Sequence, residues 1–242
     1  MIEFKKIVKR FGERTVLNGL SATIREGEIV FILGTSGTGK SVLLKNLVGL
    51  LTPDQGEIWI DGEEVSKFTE EQYLPIRKKC GMVFQHPALF DSLTIFENVA
   101  FGLRRHYDYS EDIIKDKVAK ALRLVHLKQV EDKLPSQISY GMQKRVSLAR
   151  TVALDPKILL FDEPTTGLDP VTTTAVNQLI YDLSRSLKTT SLVVSHDMNC
   201  ALSIADRIIV LDKGQIVEMG TPEELKKSEV PLVKDFLAEV LA

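Results

Sequence analysis

The sequence predicts an α/β protein built around a mostly parallel sheet. Three features predict it. Short apolar runs bounded by turn residues alternate with helix-period segments along the 242 residues. A glycine-rich segment, GTSGTGKS at 34–41, joins one such run to a helical pattern. Another apolar run ends in paired acids, Asp162 and Glu163.

The expected strands are EIVFIL (28–33), GMVF (81–84), KILLF (157–161), TSLVVS (190–195) and RIIVL (207–211). Most are continuously apolar and rich in β-branched residues, the pattern of strands covered on both faces. Helical spacing covers 41–51, 112–127, 142–154 and 171–187. Strand-like pieces at 2–8 and 57–60 lie near turn residues and predict a small antiparallel sheet. From about 86 to 151 the pattern is helical and poor in strands. The expected organisation is an α/β core with an antiparallel β sub-domain (1–85 and 152–220), an inserted helical sub-domain (86–151) and a helical tail (221–242). The tail opens with Thr221 as N-cap and Pro222 in the first turn. Its stripe of Leu232, Val233, Phe236, Leu237 and Val240 is expected to pack on the core or a partner, with a membrane-surface helix as the alternative.

Composition narrows the classes. With 44% apolar and 26% charged residues the chain is expected to be globular. A net charge of −2 gives no electrostatic case for nucleic acid, and none is expected as a partner. Two distant cysteines, Cys80 and Cys200, read as reduced core fillers. The start MIEFKKIVKRFGE lacks the apolar stretch of a signal peptide, and no apolar run approaches membrane-span length.

The chemistry sits at the strand ends. GTSGTGKS fits G-x-x-x-x-G-K-[ST] between a strand and a helix, the context of a phosphate-binding P-loop. The backbone N–H groups of Gly34, Thr35, Ser36, Gly37, Thr38, Gly39, Lys40, Ser41 and Val42 are expected to face the phosphates at a helix N-terminus. Lys40 would reach the β- and γ-phosphates of a nucleotide, and the Ser41 hydroxyl would ligate Mg2+. Asp162 would hold the same ion, and Glu163 would act as general base toward water. The expected core is that of a P-loop NTPase, RecA-like in class. His196, just past a strand end, would contact the γ-phosphate and orient the water, or be a structural histidine. Gln85 ends another strand on the same edge and joins the metal side. Phe11 would stack on an adenine or belong to the core.

Taken in order, these motifs resemble the ATPase subunit of ATP-binding cassette (ABC) transporters over nearly the whole chain. The set adds ISYGM at 138–142 and TGLD at 166–169. The family signature is usually LSGGQ. Here Tyr140 replaces a glycine and Met142 a glutamine. The resemblance implies that Ser139, Tyr140, Gly141 and Met142 contact ATP held by the opposite protomer, and that Asp169 lies at the dimer contact. It implies a homodimer using ATP and Mg2+, docked on integral membrane permease subunits at the cytoplasmic face of the inner membrane. Tyr140 fits only with a negative φ, because a bulky side chain at positive φ is costly. From sequence alone, Tyr140→Gly is expected to hydrolyse ATP as fast or faster, and a large loss in steady-state turnover would assign the side chain a positive role.

Three stretches, 85–106, 161–172 and 201–225 together with 233–237, are similar to the ATPases of Mla/Mce-type phospholipid transport systems. That implies a lipid cargo and an Mce-type lipid-binding envelope subunit. A polar amino-acid importer is the alternative cargo class. A permease-free cassette of translation or DNA repair is the alternative of another class. Leu89 and Phe90, after Gln85, are expected to meet the permease or to pack internally.

Overall fold

A computed structural model describes residues 1–241. The chain opens with β1 (Ile2–Phe11), β2 (Arg14–Ile24) and β3 (Ile29–Leu33), followed by α1 (Lys40–Leu47). Next come β4 (Gln55–Ile60), β5 (Glu63–Glu64), α2 (Glu70–Lys79) and β6 (Cys80–Val83). Three helices follow, α3 (Ile95–His106), α4 (Glu111–Leu124) and α5 (Tyr140–Val152). The chain then alternates β7 (Ile158–Asp162), α6 (Pro170–Ser186), β8 (Thr190–Ser195), α7 (Met198–Ile204) and β9 (Arg207–Asp212). It finishes with β10 (Gln215–Gly220), α8 (Pro222–Leu225) and α9 (Pro231–Leu241).

The main sheet has the order β10-β9-β3-β8-β7-β6. Strands β6, β7, β8, β3 and β9 run parallel, and β10 closes one edge antiparallel. The central strand β3 is buried at all five positions, as its unbroken apolar run requires. The second sheet, β2-β1-β4-β5, is antiparallel. One apolar cluster fills the space between the two sheets and α1, with Phe4, Leu20, Ile32 and Leu44 among its members. Another joins the opposite face of the main sheet to α3, α4, α5 and α6 through Phe31, Val99, Val118, Val146, Phe161 and Ile180.

Several helices start where the side chains dictate. Thr94 caps α3 by accepting from the Glu97 N–H at 3.2 Å, and the Glu97 carboxylate accepts from the Thr94 N–H at 2.9 Å. Thr69 and Gln72 repeat that reciprocal pair at α2, and Thr221 and Glu224 at α8.

The structure departs from expectation at a few boundaries. The helix expected over 41–51 stops at Leu47, because Gly49 takes φ +69° and turns the chain. The strand expected over 2–8 runs on to Phe11 and pairs with β2, whose alternating polar pattern carries no run of apolar residues. Helix α2 contains Pro75, a signal that argues against a helix. In the tail, Val233 and Phe236 are buried in the main core, and Leu232 and Leu237 pack against it. The Val240 side chain lies outside the described residues. Both cysteines are free and burial raises their thiols, that of Cys80 to about 12, so neither is a reactive thiolate.

Candidate functional site

The carboxyl ends of β3, β7 and β8 converge on a cleft of 750 Å³. Residues 35–37 and 39–42 form its floor, Arg14 and Val16 one wall, and Gln85, Glu163, His196 and Phe236 the other. Gly39 precedes α1 at φ +103°, a conformation that favours glycine. A Cβ there would lie 2.7 Å from Leu17 Cδ2 and 2.9 Å from the Val16 carbonyl oxygen. No side chain caps α1, so its leading N–H groups face the cleft without a side-chain acceptor.

Lys40 is only 7% exposed. Its ammonium donates to the carbonyls of Gly34 at 2.6 Å and Thr35 at 3.1 Å, and lies 3.7 Å from Glu163 Oε1. Burial lowers its pKa, and the Glu163 and Asp162 carboxylates oppose that shift. The Ser41 hydroxyl donates to Asp162 Oδ1 at 2.6 Å. Asp162 meets the cleft through Ser41 rather than lining it directly. Glu163 Oε2 is 2.8 Å from His196 Nδ1 and accepts from the Thr166 hydroxyl at 3.3 Å. The backbone of Glu163 is left-handed, at φ +52°. The Ser41 hydroxyl and the Asp162 carboxylate lie together, and Gln85 lines the same cleft; these are hard oxygen donors of the kind Mg2+ takes with few protein ligands.

The ISYGM segment lies elsewhere. A separate cavity of 410 Å³ is lined by residues 139–142, Arg145, residues 167–169 and Thr172. It shares no residue with the first cleft. Ser139 is the N-cap of α5 and accepts from the Met142 N–H at 3.3 Å. Tyr140 is the first residue of that helix and is not among the residues at positive φ, as its bulk requires. Asp169 caps α6 by accepting from the Thr172 N–H at 3.0 Å and its hydroxyl at 2.6 Å, bonds that hold its carboxyl below the usual range.

Phe11 stands at the end of β1, 48% exposed and opposite Arg14 in the β1–β2 register. It sits beside the cleft wall and is not part of the lining. The sequence reading missed Arg14, Val16, Arg145 and Phe236. Arg14 donates to the Gly37 carbonyl at 3.3 Å, a contact made only when β2 folds against the loop. Phe236 arrives from the far end of the chain; its helical stripe marks it for packing, and nothing local marks it for the cleft. The Tyr140 side chain also has partners. Its hydroxyl is 3.4 Å from His86 Nδ1, and Lys144 Nζ lies 5.5 Å from its ring centroid. These are contacts that a glycine at this position would lack.

Residues 17–166 match the family described as ABC transporter. The chain belongs to the ABC transporter family. It is an ATP-binding cassette and an ATPase. It is 42% identical over 236 residues to the probable ribonucleotide transport ATP-binding protein mkl of Mycobacterium leprae, covering 98% of this chain and 68% of that one. It is 39% identical to the intermembrane phospholipid transport system ATP-binding protein MlaF of Haemophilus influenzae, covering 98% and 90%. The methionine import ATP-binding protein MetN of Carboxydothermus hydrogenoformans is 39% identical, with 96% and 69% covered. Among solved structures, the cassette MJ0796, dimeric in a post-hydrolysis state with ADP and Pi, superposes with a TM-score of 0.84 at 33% identity, covering 92% of this chain and 99% of that one.

Gly39→Ala is expected to lower ATP affinity about tenfold, because the added methyl meets Leu17 and the backbone strain reaches about 1–3 kcal/mol. Titration with a fluorescent ATP analogue measures it, and unchanged affinity would contradict the geometry.

Proposed function

We propose that this cassette works as a pair of copies that powers lipid transport through membrane permease subunits. One observation carries the pairing: the phosphate cleft and the ISYGM cavity share no residue in one copy. A head-to-tail pair brings the Ser139–Met142 segment of each copy against the cradle of the other. ATP is then held between them, with Asp169 at the contact.

In this reading Phe11 stacks on the adenine and the N–H groups of 34–42 hold the phosphates. Lys40 exchanges its two loop carbonyls for phosphate oxygens. Ser41, Asp162 and Gln85 would hold Mg2+, which would offset charge on the phosphates. Glu163 accepts a proton from the attacking water, and His196, bonded to it, keeps it oriented. Pair closure on ATP and opening after hydrolysis drive the permease.

Among the described residues no helix is long and apolar enough to cross a membrane. The transport path therefore belongs to other chains in this proposal, and the cassette sits peripherally on the cytoplasmic face. The docking surface is the region after Gln85, where exposed Phe90 and Phe101 lie 4.7 Å apart between ring centroids. The division into a core (1–85 and 152–220), a helical sub-domain (86–151) and a tail (221–242) is part of the same proposal, since a helical unit that carries both docking surface and signature can relay motion. The lipid cargo, and with it an Mce-type envelope subunit, is supported by the likeness to MlaF and by the stretches 85–106, 161–172, 201–225 and 233–237.

Glu163→Gln is expected to bind ATP normally and to lose turnover by about 100-fold or more. Near-normal turnover would remove Glu163 as base. Lys40→Ala is expected to weaken ATP binding about tenfold, measured by the same titration. For the cargo, tagged protein captured from detergent-solubilised membranes is analysed by protein and lipid mass spectrometry. A permease with an envelope lipid-binding subunit and enriched phospholipid is the expected result. A permease with a solute-binding protein and no lipid would move the assignment to amino-acid import.

A further inference from the structure

Lys144 is a buried cation that the nucleotide chemistry described above does not use. It is 2% exposed, and among the described residues it makes no ion pair within 4 Å. A buried ammonium without a carboxylate partner is costly, and a methionine would fill the same space. What its ammonium does is donate to two backbone carbonyls, those of Gln85 and, at 3.0 Å, Pro164.

Both acceptors are adjacent to function. Pro164 follows Glu163, whose φ of +52° is a left-handed conformation that a non-glycine residue rarely holds and that a following proline disfavours further. Such a turn persists only when its surroundings fix it. Here the Glu163 N–H donates to the Val194 carbonyl at 2.9 Å, the Thr166 N–H donates to the Glu163 carbonyl at 3.3 Å, and Lys144 holds the Pro164 carbonyl. The other acceptor belongs to the loop after β6. The same helix grips that loop again downstream, where Arg150 donates to the carbonyls of Pro87 and Ala88. Tyr140, one helical turn before Lys144, touches His86 and shields the ammonium with its ring.

We propose that Lys144 is a positioning residue for hydrolysis. From the signature helix it sets the strained Glu163–Pro164 turn and the Gln85 loop at a fixed separation. The base, the metal-side loop and the segment that faces the partner then move as one unit. The proposal rests on the reading of Glu163 as the base.

The test is steady-state and single-turnover ATP hydrolysis by the full chain, with thermal melting of each variant alongside. Lys144→Met is expected to lose about 10- to 100-fold in kcat while KM for ATP stays within about threefold, since the cradle is untouched. Lys144→Arg, which keeps a charged donor, is expected to recover most of that kcat. Lys144→Gln, shorter by one bond, is expected to show the same loss as Met and serves if the Met variant does not fold. In a Glu163→Gln background, Lys144→Met should cost nothing further, because both act through one group. Wild-type kcat in the Met or Gln variant would overturn the proposal, as would a rise in KM that accounts for the loss, or additive losses in the double variant. A nearly inactive Glu163→Gln beside an active Lys144→Met would overturn the role of Lys144 alone. A fully active Glu163→Gln would overturn the base reading and this proposal with it.

Discussion

The register of the parallel strands β7, β8 and β3 is the constraint on which the site depends. Asp162 is paired with Val194, and Leu33 with Ser195, so three strands end at one level. The P-loop, the carboxylate pair and His196 then leave the sheet within hydrogen-bonding reach of each other. A slip of one residue in β7 would send Asp162 and Glu163 to opposite faces from those they now occupy. A slip that drew Asp162 inward would also place a carboxylate among the buried apolar residues of β7, which is costly. Packing and site geometry therefore restrain the same register.

Electrostatics refines what the register places. Lys40 is buried enough to resist its charge, yet it stays beside Asp162 and Glu163 and is hydrogen-bonded to loop carbonyls. Those bonds tie the lysine to the start of its own loop. Glycine at 39 is part of the same design, since only an absent side chain lets the loop pass Val16 and Leu17.

The signature helix has two tasks in one chain. Its start faces outward, with Ser139 capping it and its leading N–H groups available to an anion. Its inner face grips the Gln85 loop and the Glu163–Pro164 turn through Lys144 and Arg150. Tyr140 fits this arrangement because its ring lies over the lysine and its hydroxyl approaches the loop. The substitution that looks like damage in the sequence has packing partners in the fold.

Much of this was legible in the sequence. The α/β class, the strand cores, the P-loop and the paired acids follow from local patterns, because hydrophobic periodicity and turn chemistry act over a few residues, while Ser139 was singled out through the resemblance. The exposed strand β2 and the proline-containing α2 were not legible, since pairing and packing override weak local preference there. For Lys144 the sequence shows only that it falls in the helix expected over 142–154. That it is buried and holds the carbonyls of Gln85 and Pro164 was decided by tertiary structure alone. The same holds for Arg14 at the loop and Phe236 at the cleft. The physical reason is common to all three: each contact joins segments distant in the chain, and its energy exists only after the sheet has brought them together.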